Sequence, residues 1–244
     1  MQYKVLKNCG ELGIEFDNLK GLGERNTKDF LTKLLENIIK RATRYHEETD
    51  GDHVFRYREK QLHSVVCPSI ADITPSFLIE HPTERKPRGT KAYPGNVDYW
   101  VSYKHLCYLV ELKHTYFAYN QNKPRQGITR KFSHAIQQLD NIRKAECEYL
   151  SQGHRKLFKI ALEAITFQKG SRQKKKVRDF DGETIKIAFQ KLMSIAPLKD
   201  ETNIRSVWIL DKRLVDPFEY SNGFWIYPAV AFIGKVFSEN IITL

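Results

Sequence analysis

Cysteine is scarce in this chain: four residues among 244, at Cys9, Cys67, Cys107 and Cys147, with no Cys-x-x-Cys pair. A disulfide framework therefore has no support, structural zinc is disfavoured, and a reducing cytoplasm is the expected setting. Long apolar runs are lacking too. No stretch reaches the roughly eighteen apolar residues of a membrane span. The opening Met1-Gln2-Tyr3-Lys4-Val5-Leu6-Lys7-Asn8 has no signal-peptide core. No Walker sequence, no Ser-His-Asp arrangement and no His-x-x-x-His occurs, and Gly21-Leu22-Gly23 lacks the preceding strand and third glycine of a dinucleotide fingerprint. Acids are in deficit as well: 29 Asp and Glu stand against 40 Lys and Arg, a net charge of +11. That surplus favours a polyanionic partner through phosphate contacts and counterion release.

What is present supports a substantial core, with 41% hydrophobic and 12% aromatic residues. No linker-like stretch divides the chain, so a single domain over 1–244 is expected. Phe30, Leu31, Leu34, Leu35, Ile38 and Ile39 recur at helical spacing and predict a helix over Thr27–Glu47, capped by Asn26 or Thr27. A second helix is expected from about Tyr57 or earlier to Val66, ending before Pro68. His81–Gly95, rich in Pro, Gly and bases, reads as a loop, as does Ala118–Arg130. Phe132, Ala135, Ile136, Leu139, Ile142 and Ala145 predict one helix of nearly five turns. Leu157–Phe167 reads as a strand, with helix as the competing reading. A helix within Gly182–Ile195, a strand at Arg205–Leu210 and one or two strands over Phe224–Phe237 complete the pattern. A strand–helix–strand crossover on a hairpin-bearing sheet implies an α/β fold, with a mixed central sheet flanked by helices on both faces.

The most informative stretch runs from Gly95 to Lys113. Val-, Tyr-, Trp- and Leu-rich flanks surround Lys104-His105, the only polar break between them, which predicts a β-hairpin with a two- or four-residue loop. In that register Tyr103 opposes Leu106 and Ser102 opposes Cys107. Extended further, the ladder sets Asp98 opposite Glu111, where β-carbons are roughly 5 Å apart and like charges repel. Two carboxylates that close need a cation, a shared proton or much water. Lys113 projects from the same strand face as Glu111. Trp100, Cys107 and Leu109 share that face, so the charges end an apolar stripe rather than belong to a polar one. A carboxylate pair with an adjacent lysine suits a hard divalent cation acting on a phosphate.

This arrangement resembles the PD-(D/E)XK nuclease superfamily, the restriction-endonuclease-like fold. Its core is a helix, a three-stranded antiparallel unit, a helix and a further strand; here the resemblance covers about 57–167. Asp98 matches the first acid, Glu111 the second and Lys113 the lysine, although Val97 rather than proline precedes Asp98. The helix before the sheet often adds an acid, for which Glu59 is the best candidate. The resemblance implies phosphodiester hydrolysis with Mg²⁺, Mn²⁺ being able to substitute. Asp98, Glu111 and the Leu112 carbonyl would be the metal ligands, and Lys113 would orient water or stabilise charge in the transition state.

Bases cluster around these residues. Between His81 and Ser133 ten Lys or Arg face three acids, and 169–178 carries six bases and no acid. Arg85, Lys86, Arg88, Lys91, Lys123, Arg125, Arg130, Lys131, Lys174, Lys175 and Lys176 are the candidate contacts to a nucleic-acid backbone. Among eight histidines, His63, one turn after Glu59, is the one to test; Gln137 and Gln138 lie where some members of the superfamily place an active-site glutamine. The expectation is a metal-dependent endodeoxyribonuclease of restriction, defence or DNA processing, acting on duplex DNA, with a homodimer as the form suited to double-strand cutting. The alternatives are a catalytically silent nucleic-acid-binding module on the same fold, and a Holliday-junction resolvase or RNA-cutting relative.

Overall fold

In the computed structural model of the protein, the residues described are 1–19, 21, 23–120, 126–174 and 180–239. Among these described residues nine strands form one mixed sheet: β1 Gln2–Leu6, β2 Gly10–Phe16, β3 Phe77–Arg85, β4 Tyr93–Tyr103, β5 Leu106–Ala118, β6 Lys156–Ser171, β7 Ile204–Leu210, β8 Phe218–Tyr220 and β9 Gly223–Glu239. They lie in the order β1-β2-β7-β9-β6-β5-β4-β3, with β8 paired to β9. Every neighbouring pair is antiparallel except β5 and β6, which run parallel. The helices are α1 Glu24–Glu48, α2 Glu59–Ala71, α3 Gln126–Asp140, α4 Lys144–Leu150, α5 Gly182–Met193 and α6 Leu198–Glu201. Among the described residues no helix is long and apolar enough to cross a membrane.

Strand alternation sorts the core into two sides. Tyr108, Val110 and Leu112 of β5, Ile160 and Leu162 of β6, and Trp208 of β7 pack under α1 and α2. The intervening Cys107, Leu109 and Ala161 pack under α3 and α4. Farther along the same face, Phe117, Ile165, Phe167 and Val207 meet α3, α5 and α6. Helices thus cover both faces, as the alternating sequence pattern implies for a buried sheet.

The hairpin forms with a two-residue turn. Lys104 and His105 both take positive φ, 48° and 63°, the backbone that matches the twist of two-residue hairpins. Lys104 is anchored there by Asp29 at 2.7 Å. The helix predicted over Thr27–Glu47 buries the expected stripe, but starts three residues earlier. Gly23, at φ 90°, caps it, and the Thr27 hydroxyl donates to the Gly23 carbonyl at 2.9 Å instead of capping.

Several boundaries differ from expectation. Helix α2 continues through Pro68 because Ser69 and Ile70 remain buried against the core. The loop expected over His81–Gly95 holds the ends of two strands, β3 and β4; β3 is an edge strand with little buried surface, so its sequence lacks an apolar signature. The single helix expected beyond Phe132 is two. Between them Ile142 bridges to Arg85, the Lys86 amide donates to the Asn141 carbonyl and the Arg143 amide to the Glu84 carbonyl, drawing the chain out of helix to extend the β3 edge. The strand reading of Leu157–Phe167 holds over a longer span, and Phe224–Phe237 lies in one strand.

Candidate active site

The predicted register holds from Tyr103↔Leu106 to Tyr99↔Val110, and there it stops. On the other side of β4 the ladder with β3 runs Ile79↔Tyr99 and resumes at His81↔Val97, skipping the Glu80–Asp98 pair. Glu80 adopts φ 50° at that point. Tyr99 packs toward α1 and α2 whereas Val97 packs toward α3. Residues two apart in a regular strand share a face, so β4 is reoriented at Asp98. The direct Asp98–Glu111 pairing expected from the sequence is thus replaced by a fork in the sheet. Asp98 fills the fork: its Oδ2 accepts the Leu112 amide at 2.7 Å, the donor that the broken ladder frees.

Glu111 and Lys113 point from β5 toward α3, and the fork brings the expected residues together. Lys113 Nζ donates to Glu111 Oε1 at 2.7 Å and to the Leu112 carbonyl at 3.2 Å, and lies 3.7 Å from Glu59. Glu59, the first residue of α2, also accepts the His114 amide at 3.2 Å and lies 3.9 Å from Lys131 of α3. His63 is hydrogen-bonded through Nδ1 to the Tyr99 hydroxyl and its charge acts on Asp98.

Burial makes these acids hard to ionise. Glu111 is 2% exposed; loss of water, then repulsion from Asp98, push its carboxyl up to about 7 against the pull of Lys113 and Arg85. Asp98 is raised by burial too, with the Leu112 amide, Lys113 and His63 opposing. Burial works against the Lys113 ammonium, but Glu111, Asp98 and Glu59 outweigh it and raise its pKa.

Arg85 requires correction. Read as a loop residue free to hold phosphate, it is 5% exposed on β3. Its guanidinium turns inward, donating to the Asn96 carbonyl and to Glu111 Oε2, the latter at 3.3 Å. The reason is charge: a buried carboxylate beside a second one needs more than one cation. Lys86, Arg88, Lys91 and Arg130 are exposed, Lys131 is half-buried and donates to the His114 carbonyl at 2.8 Å, and Lys174 is exposed with its ammonium 6.0 Å from the Phe224 ring. Lys123, Arg125, Lys175 and Lys176 lie outside the described residues. Because β6 runs parallel to β5, with Ala118 opposite Gln168, the segments following both strands leave from one end of the sheet. Gln137 is exposed, whereas Gln138 Oε1 is buried without a hydrogen-bond partner among the described residues. His114 is a core residue bonded to Thr166 at 2.8 Å, its pKa lowered by burial to about 3.

Three features have little or no signal in the sequence. A cleft of about 750 Å³ opens beside Glu59 between the N-terminal turns of α2 and α3, and carries Arg58, Lys60 and Lys131 on its walls with Thr115 and Tyr116 beneath. His134 of α3 is close enough for Lys113 and Arg85 to lower its pKa, after burial. Glu163 of β6, 0% exposed and opposite Lys113, is a further acid under the same site. A lone Glu within the apolar run Leu157–Phe167 is the available signal for it, since an acid in a strand buried on both faces needs a reason to be there.

The donor set suits a hard cation. Two carboxylates and a carbonyl are oxygen ligands of the kind Mg²⁺ takes while keeping several waters. Among the described residues no group of three or more His, Cys, Asp or Glu is placed to hold a metal, so Asp98 and Glu111 are the carboxylates on which such an ion would depend. Both Glu111 oxygens are now engaged by Lys113 and Arg85. These two side chains supply the positive charge that a metal would otherwise bring. No family model, curated protein or solved structure matches this chain.

Proposed function

We propose that the protein is a metal-dependent nuclease that hydrolyses phosphodiester bonds in DNA, on a fold of the restriction-endonuclease-like type. The observation that carries this reading is the convergence of Asp98, Glu111 and Lys113 at the sheet fork, beside a cleft walled by Arg58, Lys60 and Lys131. The element order supports it: helix α2, the antiparallel meander β3-β4-β5, helices α3 and α4, then β6 parallel to β5. The net charge of +11 fits a phosphate polymer.

In this reading Asp98, Glu111 and the Leu112 carbonyl hold the cation. A bound Mg²⁺ would supply Lewis acidity toward the phosphate and a more acidic water. Lys113, freed from Glu111, would orient the attacking water or offset charge growing on the phosphate oxygens. Arg85 would keep Glu111 ionised and aimed at the fork. Glu59, anchored by the His114 amide, would hold Lys113 from the other side. Arg58 and Lys60, exposed on the cleft wall, would position the backbone of the strand being cut, together with Lys86, Arg88 and Lys91.

The test is direct: pure protein is incubated with plasmid, linear duplex, single-stranded DNA and RNA, in Mg²⁺, Mn²⁺ or EDTA. Cleavage of DNA with either metal and none in EDTA is expected. Cutting of no substrate under any condition, with DNA still bound, would replace this reading by a silent binding module. A second expected outcome concerns binding alone. Arg58→Ala with Lys60→Ala should weaken duplex binding equally for all sequences, and lower the salt slope of log K by about 0.9 for each phosphate that the two bases no longer neutralise. An unchanged slope, measured in EDTA, would remove the cleft wall from the interface.

A further inference from the structure

Glu163 has an oxygen without a use. Its Oε1 accepts the Thr115 hydroxyl at 2.6 Å, while Oε2 is buried with no hydrogen-bond partner among the described residues. Leaving a buried carboxyl oxygen unpaired is costly, more so if it is charged, and such exceptions ask for an explanation. The parallel ladder sets Glu163 directly opposite Lys113. Neighbouring strands lie about 4.8 Å apart, within the span of a lysine side chain, and both residues project toward α3. Lys113 is meanwhile committed to Glu111 Oε1 and the Leu112 carbonyl, two of the oxygens that a cation at the fork would need. The ammonium therefore has to leave them without leaving the site.

We propose that Glu163 is the second seat of Lys113: when the Asp98–Glu111 pair is loaded with a divalent cation, the ammonium moves from Glu111 to Glu163 Oε2 and stays beside the reacting phosphate. This inference rests on the metal-dependent reading of the site. It makes Glu163 a positioning residue that touches neither metal nor substrate. The Thr115 hydroxyl fixes its orientation, and Glu59, 3.7 Å from Lys113, faces the ammonium from the cleft side. Residues that orient a metal's surroundings without touching it commonly shift metal affinity by about 10–100-fold.

Calorimetric titration with Mn²⁺, in the absence of DNA, tests it through a double-mutant cycle. Glu163→Leu removes both oxygens and suits a buried strand; it should weaken Mn²⁺ binding about tenfold. In a Lys113→Met background the same replacement should leave affinity within about twofold, because no ammonium remains to be rehoused. Glu163→Gln, the nearest isostere, is measured in the same cycle should the leucine disturb folding. It keeps the shape but cannot ionise to receive the ammonium, and the same sign is expected. An equal loss in both backgrounds, or none in either, overturns the role of Glu163 and leaves the nuclease reading standing. A wild-type protein that binds no Mn²⁺ overturns both.

Discussion

Asp98→Asn and Glu111→Gln are each expected to lower metal-dependent cleavage by about 10³-fold or more, since a metal at a phosphate is worth several kcal/mol of transition-state stabilisation and each 1.36 kcal/mol is a tenfold change in rate. The two differ in what they do to the fold. An asparagine at 98 keeps an oxygen to accept the Leu112 amide that Asp98 now accepts at 2.7 Å, so the fork should persist. A glutamine at 111 removes the charge that Lys113 and Arg85 both address, leaving two cations facing each other in a buried site. Asp98→Asn should therefore melt within about 2–4 °C of wild type, the shift that about 1 kcal/mol produces in a protein of this size, and Glu111→Gln should melt lower. Duplex binding in EDTA should be unchanged or tighter for Asp98→Asn, because a negative charge near phosphate is gone. Cleavage by both variants at wild-type rates would place the chemistry elsewhere.

How much of this is legible in sequence follows from how local each cause is. The hairpin is readable because Lys104-His105 is the only polar break between two apolar flanks, and its register follows from a two-residue turn. The convergence of Asp98, Glu111 and Lys113 can be anticipated from strand periodicity, whereas Glu59 is suggested by the family resemblance alone. The fork cannot. It arises where β3, an edge strand with exposed Leu78 and Ile79, skips a pairing at Glu80, and no periodicity in 93–113 records what β3 does. Arg85 reads as a loop base for the same reason. Pro82 and Pro87 flank it and Gly89 follows, so local sequence points to a turn, while the buried carboxylate that draws it inward is 26 residues away. The break between α3 and α4 has the same origin, an apolar stripe interrupted by pairing with a distant strand edge. The N-terminal hairpin, β1 and β2, gives little sequence signal because its strands are short and β1 is the sheet edge, where outward residues such as Tyr3 and Val5 need no core partner.

Stability should fall as pH rises through the neutral range in metal-free protein, and Glu163 is the residue through which this is best measured. Burial is the main cause that pushes its carboxyl up to about 8 from an ordinary 4.5, and the Thr115 hydroxyl, Lys131 and Lys113 only partly offset it. The unfolded chain releases this proton near pH 4.5, whereas the folded protein keeps it until about pH 8. Between those values the folded state binds more protons than the unfolded state, so the stability of folding decreases with pH. The penalty is absent below pH 4.5 and fully present above pH 8. Glu111, raised to about 7, acts with the same sign over a narrower window. Glu163→Gln is neutral at every pH and removes the larger contribution. Its amide has its own constant cost in a buried site, so the slope is what reports, not the absolute stability. In EDTA, wild type should lose roughly 5–10 °C in melting temperature between pH 5 and pH 8.5 relative to Glu163→Gln, the shift that a few kcal/mol produces in a domain of this length. Saturating Mn²⁺ should recover stability most strongly at the alkaline end, where the Asp98 and Glu111 carboxylates are ionised without proton loss to be offset. Parallel melting curves for the two proteins across this range would mean that Glu163 is ionised in the fold, with a cationic partner already bound to it.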